Sequence, residues 1–148
     1  MAVLGALADQ QVGKVAYIAG ADLSVLARLL KADEQFRSQF EANLAMDLCE
    51  SGTRSPGAQA CLDWVIENAE QFDLVGHAKE LASKDIYLIG GWQDRGPVVE
   101  TFLLPLYRAL QANGAEHLRI KIYNDDHNLA RVKKSLQQRI VTWMKHWV

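Results

Sequence analysis

Three short apolar runs along the chain each open into a polar or glycine-containing loop, as buried parallel strands do. The runs cover residues 15–18, 86–89 and 120–123. The loops that follow them are Ala19-Gly20-Ala21-Asp22, Gly90-Gly91 and Asn124-Asp125-Asp126. This pattern predicts three strands, each with a loop at its carboxyl end.

Between the first two predicted strands, apolar residues recur at the spacing of helices. A first helix is predicted after Asp22, whose side chain is suited to cap it, and a second one around residues 36–48. The polar break at residues 51–57 precedes a third helix. Ser55 and Pro56 suit the cap and the first position of that helix.

The second half of the chain contains three further helical patterns. A short helix is predicted over residues 74–82, and a longer one over residues 97–113. Gly114 should end the longer helix, and Pro105 should kink or divide it. The closing segment, residues 129–147, places Val132, Leu136, Ile140, Trp143 and Met144 on one face.

Strand and helix in alternation predict a three-layer α/β fold, with a small parallel sheet of about three strands and flanking helices. The 148 residues fit one domain, residues 1–148. The segment between the first two strands, about residues 23–82, is longer than an ordinary crossover connection. We therefore predict that it forms a helical cap insertion.

The composition argues against several classes of partner. The formal net charge is −2 and both signs are interspersed, so no basic face for nucleic acid is expected. The apolar residues 2–8 lack a basic leader, and no apolar run is long enough for a membrane span. The two cysteines, Cys49 and Cys61, show no CxxC spacing. We expect a cytoplasmic protein without nucleic-acid or membrane partners.

Two residues with acid–base chemistry follow neighbouring predicted strands. Asp94 comes after the second strand and His127 after the third. Ligands bind outside the carboxyl ends of parallel strands, where loops converge. Neighbouring strands lie about 4.8 Å apart, so side chains on their loops can meet. We therefore predict that Asp94 and His127 are in contact or near contact at the carboxyl edge of the sheet.

The residues around this predicted pair resemble the C-terminal half of α/β-hydrolases. Asp85-Ile86-Tyr87-Leu88-Ile89-Gly90-Gly91-Trp92-Gln93-Asp94 looks like the penultimate core strand and acid loop of that family, and residues 120–127 look like its last strand and histidine loop. The ending Asp126-His127-Asn128-Leu129 is similar to the dipeptidyl-peptidase and dienelactone-hydrolase-like branches. The resemblance implies a partial α/β-hydrolase fold in which residues 2–8 are the tail of the nucleophile helix.

The resemblance maps the acid of a serine-hydrolase triad onto Asp94 and its histidine onto His127. In such a triad, the carboxylate orients the imidazole, which takes a proton from the nucleophile. The family's nucleophile segment, Gly-x-Ser-x-Gly, does not occur in this sequence. The resemblance therefore implies a truncated chain that is inactive alone, or a subunit or fragment of a serine hydrolase. Trp92 and Asp126, beside the pair, are candidates for lining a pocket.

Other interpretations of these residues stay open. An Asp and a His at strand ends are often loop residues that hydrogen bond the backbone. Asp125, Asp126 and His127 together suggest a metal site, but adjacent side chains rarely converge on one ion, so we expect no metal. No motif in the sequence indicates a cofactor.

The resemblance also implies an exposed edge on the first strand, residues 15–18, because the complete family pairs this strand with the one that carries the nucleophile elbow. A soluble protein must cover such an edge. We expect a homo-oligomer, most simply a two-fold dimer through this strand or residues 2–8, or association with a missing N-terminal half. The alternatives to a hydrolase fragment are a non-catalytic binding or assembly module, and an enzyme that uses Asp94 and His127 differently.

Overall fold

The structure is a computed structural model that describes residues 2–52 and 54–145. Contacts within the chain divide it into two compact units. The sheet unit comprises Met1–Ala21 and Leu74–Val148, and the helical unit comprises Asp22–Asp73. The predicted cap extends to Ala82, whereas the helical unit ends at Asp73. That the whole chain is one domain stays a prediction.

The sheet unit contains three parallel strands in the order β1-β2-β3. Their bounds are Lys14–Ile18 for β1, Asp85–Gly91 for β2 and Leu118–Tyr123 for β3. The register pairs Ile18 with Ile89 and Gly91 with Tyr123. The predicted α/β fold, with a small parallel sheet flanked by helices, is confirmed.

Strand β2 lies in the centre of the sheet, and its six residues from Ile86 to Gly91 are all buried. Ile86 and Leu88 belong to one hydrophobic core with side chains of helices α1, α5 and α6. Tyr87 and Ile89 belong to a second core that contains Trp143 of helix α7. The helix bounds are Ala2–Ala8 for α1, Ala78–Leu81 for α5, Leu104–Ala112 for α6 and Lys133–Lys145 for α7. The sheet is therefore the middle of three layers.

Pro105 divides the predicted helix 97–113, as its missing N–H group requires. A π-helical turn, Val99–Leu103, precedes α6, and Pro105 lies in the first turn of α6, where a proline is tolerated. The predicted start at Pro97 is wrong because Val98 has an extended backbone, with ψ 136°. Gly114 follows α6 with φ 77°, which confirms it as the glycine at the helix end.

Helix α7 begins later than the predicted closing helix, which spanned residues 129–147. Leu129 has φ 51°, and a 3₁₀ turn, Ala130–Val132, precedes the helix. Trp147 lies outside the described residues. The predicted helix 74–82 is likewise reduced to the single turn α5.

The helical unit contains α2 (Leu23–Ala32), α3 (Glu34–Ser51) and α4 (Ala58–Glu67). The Asp22 carboxylate caps α2 by accepting from the N–H groups of Ser24 and Val25, as predicted. The prediction for α4 is wrong: Gly57 is its N-cap, with φ 104°, and Ser55 and Pro56 precede it. The Ser55 hydroxyl accepts from the Gly57 N–H and so closes a turn ahead of the helix.

Among residues 2–52 and 54–145, no helix is both long enough and apolar enough to cross a lipid bilayer.

Candidate functional site

Two loops lie side by side where β2 and β3 end. The acid loop, residues 92–96, follows β2, and the histidine loop, residues 124–129, follows β3. The Trp92 N–H donates to the Tyr123 carbonyl at 2.8 Å, and the Gln93 N–H donates to the Asp125 carbonyl at 3.0 Å. These two bonds extend the β2–β3 pairing beyond the strands and bring the two loops together.

The predicted contact between Asp94 and His127 is confirmed. Asp94 Oδ2 lies 2.9 Å from His127 Nδ1, and the Asp94 side chain is only 2% exposed. The second carboxylate oxygen, Oδ1, accepts from the Gly96 N–H at 2.9 Å. Because both oxygens have partners, the carboxylate has a fixed position and a fixed orientation toward the imidazole.

The imidazole of His127 is bound on one side only. Its side chain is 58% exposed, and within the described part of the chain Nε2 has no hydrogen-bond partner. When Nδ1 carries the proton and donates to Asp94, Nε2 is an acceptor that is open to solvent. The imidazole is therefore held in one orientation with one ring nitrogen open, and no serine, threonine or cysteine is bonded to it among the described residues.

Asp125 is a second buried carboxylate at the same edge, and it is bound to Arg131 instead of a histidine. Asp125 Oδ1 accepts from Arg131 Nε at 2.8 Å and from the Asp126 N–H at 3.0 Å. Oδ2 accepts from the Arg131 N–H at 3.0 Å. The hydrogen bond from Arg131 holds the pKa of Asp125 below its usual range against the opposing effect of burial, with further help from the Asp126 N–H.

Gln93 joins the two loops through its side chain. Its Oε1 accepts from Arg131 Nη2 at 2.6 Å, and its Nε2 donates to Asn124 Oδ1 at 2.9 Å. Asp125, Arg131 and Gln93 thus form a network that holds the histidine loop against the acid loop. From the sequence, Asp125 was considered only as part of a metal cluster that was not expected, and the neighbouring Asp126 was chosen as the pocket candidate.

Gly91 permits the close approach of the two loops. A Cβ atom at this position would lie 2.4 Å from the Asp125 carbonyl oxygen and 2.8 Å from that of Asp126. Both neighbours are backbone atoms, so the histidine loop would have to move. The glycine at the end of β2 is therefore a requirement of the site's geometry, and not only of the turn.

The two candidate pocket residues lie on the surface near the pair. Trp92 is exposed, and Asp126 is exposed and accepts from the Asn128 N–H at 3.0 Å. Their role in lining a pocket stays a prediction. Across residues 2–52 and 54–145, no group of three or more potential metal-ligating side chains occurs. Asp125 in particular has both oxygens occupied by hydrogen bonds.

Comparison of the chain with models of protein families, with curated proteins and with solved structures finds no match in any of the three.

Proposed function

We propose that the chain is the acid–histidine part of a serine-hydrolase-type site, with Asp94 as the orienting acid and His127 as the general base. The observation that carries this proposal is the 2.9 Å contact between the buried Asp94 carboxylate and His127 Nδ1, with Nε2 left open. A general base needs this combination of a fixed orientation and an accessible ring nitrogen.

The sequence resemblance to α/β-hydrolases supports the same roles for the two residues. This resemblance includes neither a nucleophile nor oxyanion donors, because Gly-x-Ser-x-Gly does not occur in the sequence. We therefore propose that these groups come from polypeptide other than residues 1–148, and that these residues alone hydrolyse no ester or peptide bond. The free Cys49 and Cys61 suit the reducing cytoplasm that we propose as the compartment.

The tautomer of His127 tests the role of the pair. Long-range ¹H–¹⁵N NMR of the neutral imidazole should show the proton of His127 on Nδ1. The Asp94→Asn variant should shift the population toward the Nε2–H form, with His117 as the unchanged internal reference. A wild-type His127 protonated on Nε2 would contradict the proposal, because Nε2 could not then accept a proton.

Hydrolysis of an activated ester, p-nitrophenyl acetate, tests the absence of a nucleophile. We expect the same rate for the wild type and the His127→Gln variant once the slow reaction of exposed imidazoles is subtracted. Saturable turnover that disappears in His127→Gln would show that residues 1–148 contain a complete site. It would favour the alternative in which Asp94 and His127 act in a different reaction.

A non-catalytic assembly module is the second candidate, and the position of β1 as an outer strand of the sheet favours it. β1 is the outer strand beside β2, and the Ile18 side chain is 40% exposed. We propose that β1 pairs with its copy in a second chain across a two-fold axis. Val3, in the segment 2–8 that the sequence offered as the alternative interface, is buried in the core of the sheet unit and is not available for it.

Light scattering at micromolar concentration tests this second candidate. A dimer that becomes monomeric in Ala16→Lys, but not in the control Ala112→Lys on helix α6, would support pairing through β1. A monomeric wild-type protein would contradict it.

A further inference from the structure

A second candidate site lies in the sheet unit, in an open cleft between β3 and helix α7. The cleft has a volume of about 510 Å³, within the range of about 300–1,000 Å³ that is usual for small-molecule sites. Its walls and floor are formed by Tyr87, Arg119, Ser135, Gln138, Arg139, Thr142 and Trp143. None of these residues belongs to the acid loop or the histidine loop.

The wall of the cleft contributed by α7 is a row of hydrogen-bonding side chains. Ser135, Gln138, Arg139 and Thr142 follow one another at helical spacing, so they share one face of α7. Within the described part of the chain, none of these side chains forms a hydrogen bond or an ion pair. The donors of this wall are therefore available to a ligand.

The charge of the cleft is positive. Two guanidinium groups, those of Arg119 and Arg139, line it, and no lining residue is acidic. Arg119 Nη1 lies 3.9 Å from the Asp85 carboxylate. Asp85 already accepts from the Trp143 indole N–H at 2.8 Å and pairs with Lys14 at 3.1 Å. Among the described residues, Arg139 forms no ion pair with Asp85 or with any other carboxylate. Its positive charge is therefore available to a ligand.

The floor of the cleft is aromatic. Tyr87 and Trp143 pack edge to face, with ring centroids 5.6 Å apart. Tyr87 as a whole is only 6% exposed, but its hydroxyl is accessible to water and has no hydrogen-bond partner among the described residues. A ligand oxygen in the cleft could accept from this hydroxyl in place of water.

We propose that this cleft binds a small organic acid, that is, a carboxylate or phosphate group attached to a flat apolar body. Arg119 and Arg139 bind the anionic group, since the planar guanidinium matches the geometry of both oxyanions. The Tyr87 hydroxyl donates to the same group, and the apolar body packs on the rings of Tyr87 and Trp143.

Titration of the ¹⁵N-labelled chain with four probes, followed by NMR, tests this site. Benzoate and phenyl phosphate should shift the amide signals of β3 and α7 and the Trp143 indole signal in a saturable way. Inorganic phosphate should bind at least about tenfold more weakly than phenyl phosphate because it lacks the apolar body. Benzyl alcohol, which has the ring but no charge, should cause no saturable shift.

Substitutions in the cleft separate specific binding from general attraction of anions. Arg139→Gln and Tyr87→Phe should each weaken benzoate binding at least about fivefold, since each removes a donor to the anion. Arg108→Gln is the matched control, because Arg108 is an exposed arginine of α6, in the other helical layer. Arg139 is exposed and without a partner, so its substitution should not disturb folding.

Any one of the following results would overturn the proposal. They are the absence of saturable shifts with both benzoate and phenyl phosphate, equal affinities in the wild type and Arg139→Gln, and equal affinities for inorganic phosphate and phenyl phosphate. A saturable shift with benzyl alcohol as large as that with benzoate would also contradict it. None of these results depends on whether Asp94 and His127 act in hydrolysis.

Discussion

The sheet unit and the helical unit differ in how much of each element they bury. In the sheet unit, every residue of β2 from Ile86 to Gly91 is buried. In the helical unit, the 18 residues of α3 include none that is buried, although Leu26 and Leu30 of α2 are. The two units differ also in their ion pairs. Asp125, which pairs with the exposed Arg131, is itself buried, whereas Arg37 and Asp63 are both partly exposed.

This difference indicates that substitutions should have unequal effects in the two units. The loss of an interaction costs most where neither water nor movement of neighbouring atoms can replace it. The sheet unit, which carries both candidate sites, should therefore respond strongly to small changes. The α3 surface should tolerate them. The five predictions below test this comparison.

The largest effect is expected for Leu106→Ala in α6 of the sheet unit. Leu106 is almost completely buried in the core beside the sheet, so the substitution should lower the free energy of unfolding by about 3 kcal/mol. Leu44→Ala in α3 is the matched control and should cost less than about 1 kcal/mol, because Leu44 is only partly buried. Urea denaturation measures both. Equal losses would remove the distinction between the units.

Gly91→Ala should come next, with a loss of about 2 kcal/mol from overpacking between the two loops. The contact between Asp94 and His127 should also weaken, so that the NMR signal of His127 approaches that of a free histidine. Gly96→Ala is the control, since its Cβ would approach nothing nearer than Asp94 Oδ1, at 3.5 Å. A Gly91→Ala variant as stable as Gly96→Ala would show that the loops adjust freely.

Asp125→Asn should destabilise the protein at neutral pH. It should also make the free energy of unfolding less dependent on pH in the acidic range. Arg131 lowers the pKa of folded Asp125 below the unfolded value of about 3.9. The stabilisation is therefore complete above that value and is lost as the pH falls through the folded pKa. The difference between wild type and Asp125→Asn should shrink as the pH falls below about 4. Asp126→Asn, at an exposed position, should leave the profile nearly unchanged.

Asp85→Asn should lower the free energy of unfolding by about 1.5 kcal/mol, as expected for hydrogen bonds to a charged group. Burial by itself would raise the pKa of Asp85, but hydrogen bonds from Trp143 and Lys14 and the charges of Lys14 and Arg119 lower it. This contribution is also lost as the pH falls through the folded pKa of Asp85. Thermal unfolding at pH 7 and pH 3 measures this contribution. An Asp85→Asn variant as stable as the wild type at pH 7 would show that the hydrogen bonds to the Asp85 carboxylate do not stabilise the fold.

The smallest effect is expected for Arg37→Gln in the helical unit. Arg37 Nη2 lies 2.6 Å from Asp63 Oδ1, but the two side chains are 35% and 44% exposed. Exposed pairs of this kind contribute less than about 1 kcal/mol. A double-mutant cycle with Asp63→Asn measures the pair, and a coupling above about 1.5 kcal/mol would show that the helical unit depends on its surface ion pairs.

The strands and the positions of Asp94 and His127 were predictable from the sequence because they follow from local patterns. Apolar runs of four residues, and the glycine-containing or polar loops after them, marked β1, β2 and β3. The start of α4 was not predictable in this way. Ser55-Pro56 is a common start of a helix, but Ser55 instead bonds the Gly57 N–H, and α4 begins after Gly57.

The sequence by itself determined that an acid and a histidine stand at the ends of neighbouring parallel strands. Only the tertiary structure decided that Asp94 binds His127 and that Asp125 binds Arg131. Asp94 and His127 are 33 positions apart, and their contact depends on the register of β2 with β3 and on the space left by Gly91. Such distances arise from packing between elements, whereas periodicity reports only the geometry within each element.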